Sequence, residues 1–218
     1  MIKTIYLLLV IALIMSSFIP KNQKTNSKWF FEEVKIGNQI WMSENLNTDK
    51  FRNGDVIPQA QSKEEWVEAA IKKQPVWCFF KNDSANGEKF GRIYNWYAAT
   101  DPRGLAPKGW RIPNNDDWME LSEYLGGERI AGKKMKSKEG WSDDGNGTNE
   151  SGFNGLPGGG RYANGSFDLV GESSGFWSSK QDSLHTAWFR YLTKVDDESH
   201  KYSLKKAAGL YVRCIKNK

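Results

Sequence analysis

The apolar positions of this chain fall in short stretches that switch between strand-like and helix-like spacing. Trp29–Ile36 carries aromatic and β-branched residues, Gly37-Asn38 interrupts, and Gln39–Met42 resumes with Ile40 and Trp41. Two such runs across a Gly-Asn pair predict a hairpin. Asn45–Ile57 is polar loop, with a turn at Asn53-Gly54-Asp55. Ser62–Lys73 predicts a helix. Ser62 and Glu65 fit a capping box, in which each satisfies the other's free backbone donor. Trp66, Ala69, Ala70 and Ile71 give the apolar face, and Pro75 stops the helix. Val76–Phe80 reads as a buried strand, Lys81–Glu88 as a polar turn, and Phe90–Thr100 as a segment that turns helical from Tyr94. After an extended piece at Trp110–Pro113, Asn114 caps a second helix. Asp116 and Asp117 in its first turn complement the helix dipole. Trp118, Leu121 and Leu125 mark its buried face, and Gly126-Gly127 end it. Ala131–Ser137 fits either a short helix or a strand.

Beyond Trp141 the pattern becomes strand-like between glycine-rich loops. Phe153–Leu156, Gly175–Ser179, Thr186–Leu192 and Leu210–Ile215 are the predicted strands. Seven glycines lie between Gly145 and Gly160, interleaved with Phe153 and Leu156. Glycine permits close chain approach, and the interleaved apolar residues need burial. The stretch Thr148–Tyr162 is therefore an ordered irregular loop. Short helices early and a small antiparallel sheet late make an α+β architecture.

With 218 residues, 39% of them hydrophobic and 13% aromatic, the chain suffices for one core. Met1-Ile2-Lys3, the uncharged run Ile5–Met15 and the polar residues through Ser27 form a secretory signal pattern. Residues 1–27 are thus read as signal and linker, and residues 28–218 as one domain. The competing reading is an uncleaved anchor over Thr4–Pro20, which would be the chain's only membrane contact. The net charge of +5 is scattered over the chain. No basic stripe of the nucleic-acid-binding kind is present. Cys78 and Cys214 would sit in an oxidising compartment, where either a bridge or two separate buried thiols is open.

Candidate chemistry is sparse. His185 and His200 lie in polar surroundings outside any nucleophile motif. Glu150, Asp116, Asp117, Asp143 and Asp144 could supply paired glycosidase carboxylates, but nothing in the sequence sets two of them across a cleft. Asp143, Asp144, Asn146 and Glu150 concentrate oxygen donors of the type calcium takes, which makes calcium the candidate cofactor. Their spacing does not follow the EF-hand. Sugar sites combine exposed aromatic rings with planar polar side chains. Tyr162 and Phe167, with Asn164 and Asp168, are the candidate platform, and Trp177 is assigned to the core.

Several motifs together resemble one family. VKIGNQIWMSENL, YNWYAA, GWRIPNNDDWMELSEYLGG, AGKKMK, TNESGFNGLPGGGR, SGFWSS and GLYVRCI, spanning Val34 to Lys216, are similar to the Fibrobacter succinogenes major paralogous domain. That resemblance implies an exported, surface-associated protein. It also implies a C-type-lectin-like fold, distantly similar to formylglycine-generating enzymes: short helices, a small twisted antiparallel sheet and long glycine-rich loops. Family members often carry a cysteine before the Pro-Gly-Trp segment, where this chain has Leu105-Ala106-Pro107. Cys78 and Cys214 are then the remaining pair, expected to form a disulfide. The regularity of the T-N-E-S-G-F segment implies scaffold roles for Asn149 and Glu150, the latter binding loop N–H groups or pairing with Arg161. The resulting expectation is a non-catalytic surface binding or adhesion module whose ligand is a polysaccharide or another surface protein. The competing classes are an enzyme (a hydrolase or a formylglycine-generating relative) and a scaffold module.

Overall fold

Gly37, at φ 60, turns the chain between β1 (Glu33–Ile36) and β2 (Gln39–Met42), a conformation glycine adopts without steric cost. The computed structural model describes residues 32–218. The signal-like segment, the linker and the start of the first expected strand lie outside the described residues. α1 (Lys63–Ile71) begins at the expected capping box and buries Trp66 and Ala69. β3 (Trp77–Cys78) is shorter than the apolar run that predicted it. A 3-10 turn at Phe80–Asn82 ends it, with Lys81 and Asn82 in the left-handed region. The polar turn expected at Lys81–Glu88 is a helix instead, α2 (Ser84–Phe90). Asp83 accepts from Ala85 N–H, and the Asn86 amide donates to Phe80 O at 3.0 Å. β4 (Ile93–Asn95) precedes α3 (Trp96–Ala99), so the helix starts at Trp96 rather than Tyr94. Asn95 sets that start by accepting from Ala98 N–H.

β5 (Trp110–Arg111) leads into α4 (Asn115–Tyr124), where Asn114 and Asp117 form a reciprocal cap. Gly126 and Gly127 follow at φ 105 and 102. α5 (Glu128–Met135) is the short helix of the two options. The remaining elements are β6 (Gly158–Arg161), β7 (Phe167–Val170), β8 (Ser173–Gln181), β9 (Thr186–Thr193), β10 (His200–Lys205), β11 (Gly209–Leu210) and β12 (Ile215–Lys216). The strand expected at Phe153–Leu156 is loop, and the strand next to it consists mostly of glycine. Close approach explains this: a Cβ on Gly158 would lie 2.5 Å from the Tyr211 hydroxyl, which donates to Gly158 O at 2.9 Å.

Strands β1-β2-β12-β5 form one sheet. The larger sheet runs β10-β9-β8-β6-β11-β4-β3, with β7 on β6. The molecule is therefore α+β, with antiparallel strand pairing interrupted by the parallel contact of Gly159 with Ser174 and by isolated parallel bridges such as Phe176 with Tyr211. Among the described residues no helix is long and apolar enough to cross a membrane.

The core divides by strand parity. Successive strand side chains point to opposite faces. Leu210, Val212 and Cys214 enter one buried cluster, while Tyr211 and Ile215 enter the other. Trp177 against Phe176, and Trp77 against Cys78, divide in the same way. Three buried tryptophans satisfy their indole N–H groups on backbone carbonyls: Trp66 bonds Ala207 O, Trp77 bonds Ile57 O, and Trp177 bonds Tyr94 O. Cys78 and Cys214 are both free, buried thiols. The expected disulfide is absent: each thiol is packed into a different buried cluster.

Candidate functional site: an apolar cleft beside a glycine strand

The glycine strand shapes a cleft. β8 meets β6 at only one residue pair, so the sheet surface opens there. Gly159, Gly160 and Gly175 leave the floor without side chains, and Phe189, Tyr191, Leu204, Leu210, Leu169 and Tyr162 wall a cleft of about 190 Å³. Leu210 leans over the glycines: a Cβ on Gly175 would lie 2.7 Å from its Cδ2. Leu169 has φ 67, uncommon for a residue with a bulky side chain. Such outliers cluster at functional sites.

The cleft edge is polar. Pairing of Gly160 with Asp168 and of Arg161 with Phe167 sets Asp168 on the cleft side, and Asp168 and Tyr162 both line it. Tyr162 is 41% exposed. Partial burial pushes its phenol up from the ordinary value, and the nearby Asp168 and Tyr191 add to the shift. The hydroxyl therefore remains a donor at neutral pH. An aromatic row continues outward along the β9–β10 hairpin. Phe189 to Tyr191 is 6.0 Å and Tyr191 to Tyr202 is 6.2 Å between ring centroids. His200 stacks on Tyr202 at 5.4 Å.

The structure thus brings Tyr162 and Asp168 together and sends their two sequence companions elsewhere. Phe167 packs inward, 5.4 Å from Phe80 and 4.5 Å from the Arg161 guanidinium. Asn164 is consumed by its turn, accepting from both the N–H and the hydroxyl of Ser166. Phe189, Tyr191 and Leu204 were missed as site residues. The alternation in Thr186–Leu192 showed two substantial faces there but not which face stays open.

Two of the oxygen donors in the 142–150 loop are engaged with protein partners. Asp143 is paired with Lys194, which also reaches Glu172 at 3.4 Å. Asn146 Oδ1 accepts from Trp141 N–H at 3.0 Å, and Glu150 is exposed. Among the described residues no group of three or more His, Cys, Asp or Glu is placed to hold a metal ion. Asn149 lies at φ 49, and its Oδ1 accepts from Asn154 N–H at 2.8 Å, closing the loop on itself. The Glu150–Arg161 pair does not form. Arg161 turns instead to Ala60 O, Ser62 O and Gly165 O, because its strand parity faces the core.

Arg213 was not singled out by sequence and is 1% exposed. It spans Asn45 Oδ1, Met42 O and Phe153 O, with its guanidinium 4.3 Å from the Phe153 ring. Burial lowers its pKa to about 9. Burial has the opposite sense for the thiols, raising Cys78 to about 11 and Cys214 to about 12. Neither is a thiolate at neutral pH, the form a reactive cysteine requires. His185 is exposed, and His200 lies 3.0 Å from Asp196.

These features define an α+β domain with an aromatic-edged apolar cleft over a glycine strand. Residues 34–216 match the model of the Fibrobacter succinogenes major domain, and the chain belongs to that family. No curated protein and no solved structure matches it.

Proposed function

We propose that this chain is an exported, surface-associated binding module that takes carbohydrate in the cleft beside Tyr162, on a C-type-lectin-like scaffold. Short helices packed on small sheets, with loops held by side-chain caps, support the scaffold reading. The single observation that carries the ligand reading is the convergence of Tyr162, Tyr191 and Asp168 around the cleft. A pyranose has an apolar C–H face and an edge of hydroxyls. Aromatic rings take the first, and a carboxylate and phenols take the second by charge-assisted and neutral hydrogen bonds. The row through Tyr202 offers further rings to a longer chain, so a polysaccharide suits the site better than a free monosaccharide. Export follows from the basic n-region and apolar run at residues 2–15.

The test is a glycan array with the purified protein, followed by titration of the best ligand against Tyr162→Ala and Tyr191→Ala. Each ring removed is expected to weaken binding about tenfold, the equivalent of about 1.4 kcal/mol. A folded protein that binds no glycan on the array would overturn the proposal.

A further inference from the structure

Most of the cleft lining is apolar. Its floor is glycine backbone, Leu210 and Phe189 are its buried walls, Leu204 and Tyr191 are half-buried, and Tyr162 and Asp168 are exposed at its edge; the buried Ser173 and Arg161 also line it. A sugar hydroxyl pressed against Leu210 and Phe189 would lose water without finding a partner there, a loss that weakens binding. A methyl group there gains from burial. The edge, in contrast, presents a carboxylate acceptor and phenolic donors side by side. The group that satisfies both regions at once has a methyl end, an N–H and a carbonyl.

We propose that the cleft recognises the acetamido group of a 2-acetamido-2-deoxy sugar, an inference that rests on the carbohydrate reading above. The methyl enters against the buried Leu210 and Phe189. The amide N–H donates to Asp168, and the amide carbonyl accepts from the Tyr162 hydroxyl. The pyranose ring then lies toward Tyr191 and Tyr202 on the outer face of the hairpin. A 6-deoxy sugar shares the methyl but not the amide, so it fills the depth and leaves Asp168 without its donor.

The experiment compares matched ligands by calorimetry: chitobiose against cellobiose, which differ at C2 by acetamido or hydroxyl, and L-fucose against L-galactose, which differ by the C6 hydroxyl. The expected result is chitobiose tighter than cellobiose by about tenfold or more, the discrimination a buried methyl and a paired amide supply together. Asp168→Asn, which keeps the Oδ1 acceptor for Leu169 N–H and replaces the other carboxylate oxygen by a donor, is expected to shrink that ratio severalfold while the protein keeps its melting temperature. Equal binding of chitobiose and cellobiose would overturn the acetamido assignment and leave carbohydrate binding standing. A preference for fucose over galactose without one for chitobiose would overturn the amide contact to Asp168. Absence of binding to all four, together with a silent array, would overturn both proposals.

Discussion

Arg161 is 2% exposed, and among the described residues it forms no ion pair. Its guanidinium lies 4.6 Å from Trp66 and 4.5 Å from Phe167, and its N–H groups serve the carbonyls of Ala60, Ser62 and Gly165. One side chain thereby ties the glycine strand to the start of α1. Removing it takes a donor from the carbonyls of Ala60 and Gly165, leaves Ser62 O only its bond from Trp66 N–H, and opens a gap between two rings. Arg161→Ala is expected to cost about 3 kcal/mol, and Arg161→Lys to recover little of it, because an ammonium cannot fork to three acceptors or stack as a plane. Glu150→Ala, by contrast, alters an exposed residue and is expected to stay within about 0.5 kcal/mol of the parent. Urea unfolding of the three variants checks both statements. A large loss in Glu150→Ala would restore the scaffold role that the sequence implied for that residue. The reason sequence paired Arg161 with Glu150 is instructive: an acid nearby in the chain is visible, whereas backbone carbonyls about a hundred residues upstream have no side-chain signature. Asn149 was legible because its bond is local, to Asn154.

At the scale of elements, caps are what sequence exposes. Ser62 with Glu65 and Asn114 with Asp117 announce α1 and α4, since capping is local chemistry. α2 carries Asn86 and Gly87 within seven residues, and the bond from the Asn86 amide back to Phe80 O in the preceding turn holds it against poor propensity. β10 is an edge strand of mostly exposed residues, so it lacks the alternation that reveals a half-buried strand. α5 shows how an element's packing can reverse a propensity argument. Gly132 lies inside that helix, where alanine is ordinarily favoured by about 1 kcal/mol. A Cβ there would fall 2.2 Å from Glu198 O. The loop between β9 and β10 sits directly on this glycine, and Lys136 Nζ donates to Thr193 O and Asp196 O from the same side. Gly132→Ala is therefore expected to destabilise by about 2 kcal/mol, a cost in the range seen for overpacking. It is also expected to raise amide exchange across Thr193–Ser199. A stabilised variant would show that the loop yields freely, contrary to its anchoring by Lys136.

The whole molecule turns on the C-terminal segment, which gives β11 to one sheet and β12 to the other and sends alternate side chains into two cores. Fold class and the family were legible because motifs survive in sequence. The cleft was half legible: the aromatic and acidic types of Tyr162 and Asp168 could be read, but the parity that turns Phe167 inward depends on the register of β6 with β7. Cys78 and Cys214 lie in separate buried clusters, and the burial of Cys78 has a consequence in alkali. Burial holds the Cys78 thiol at about 11 against an ordinary value of 9.0. Between those limits the folded protein keeps a proton that the unfolded chain releases, so ν_U is smaller than ν_N and stability falls as pH rises. The slope is about 1.4 kcal/mol per pH unit for one group. Cys78→Ala removes this linkage and also the smaller push that the Cys78 thiolate exerts on the Tyr211 phenol, which burial mainly raises. At neutral pH the variant is expected to be less stable, by about 1 kcal/mol of lost packing. Across the window from pH 9 to pH 11 the parent loses ground to it, until the order of the two reverses. Urea midpoints measured for both proteins at half-unit steps of pH decide the matter. Curves that stay parallel would mean that Cys78 is ionised or solvated in the folded state, and that the neighbouring Arg161 cation, which favours the thiolate, outweighs the burial that raises the thiol.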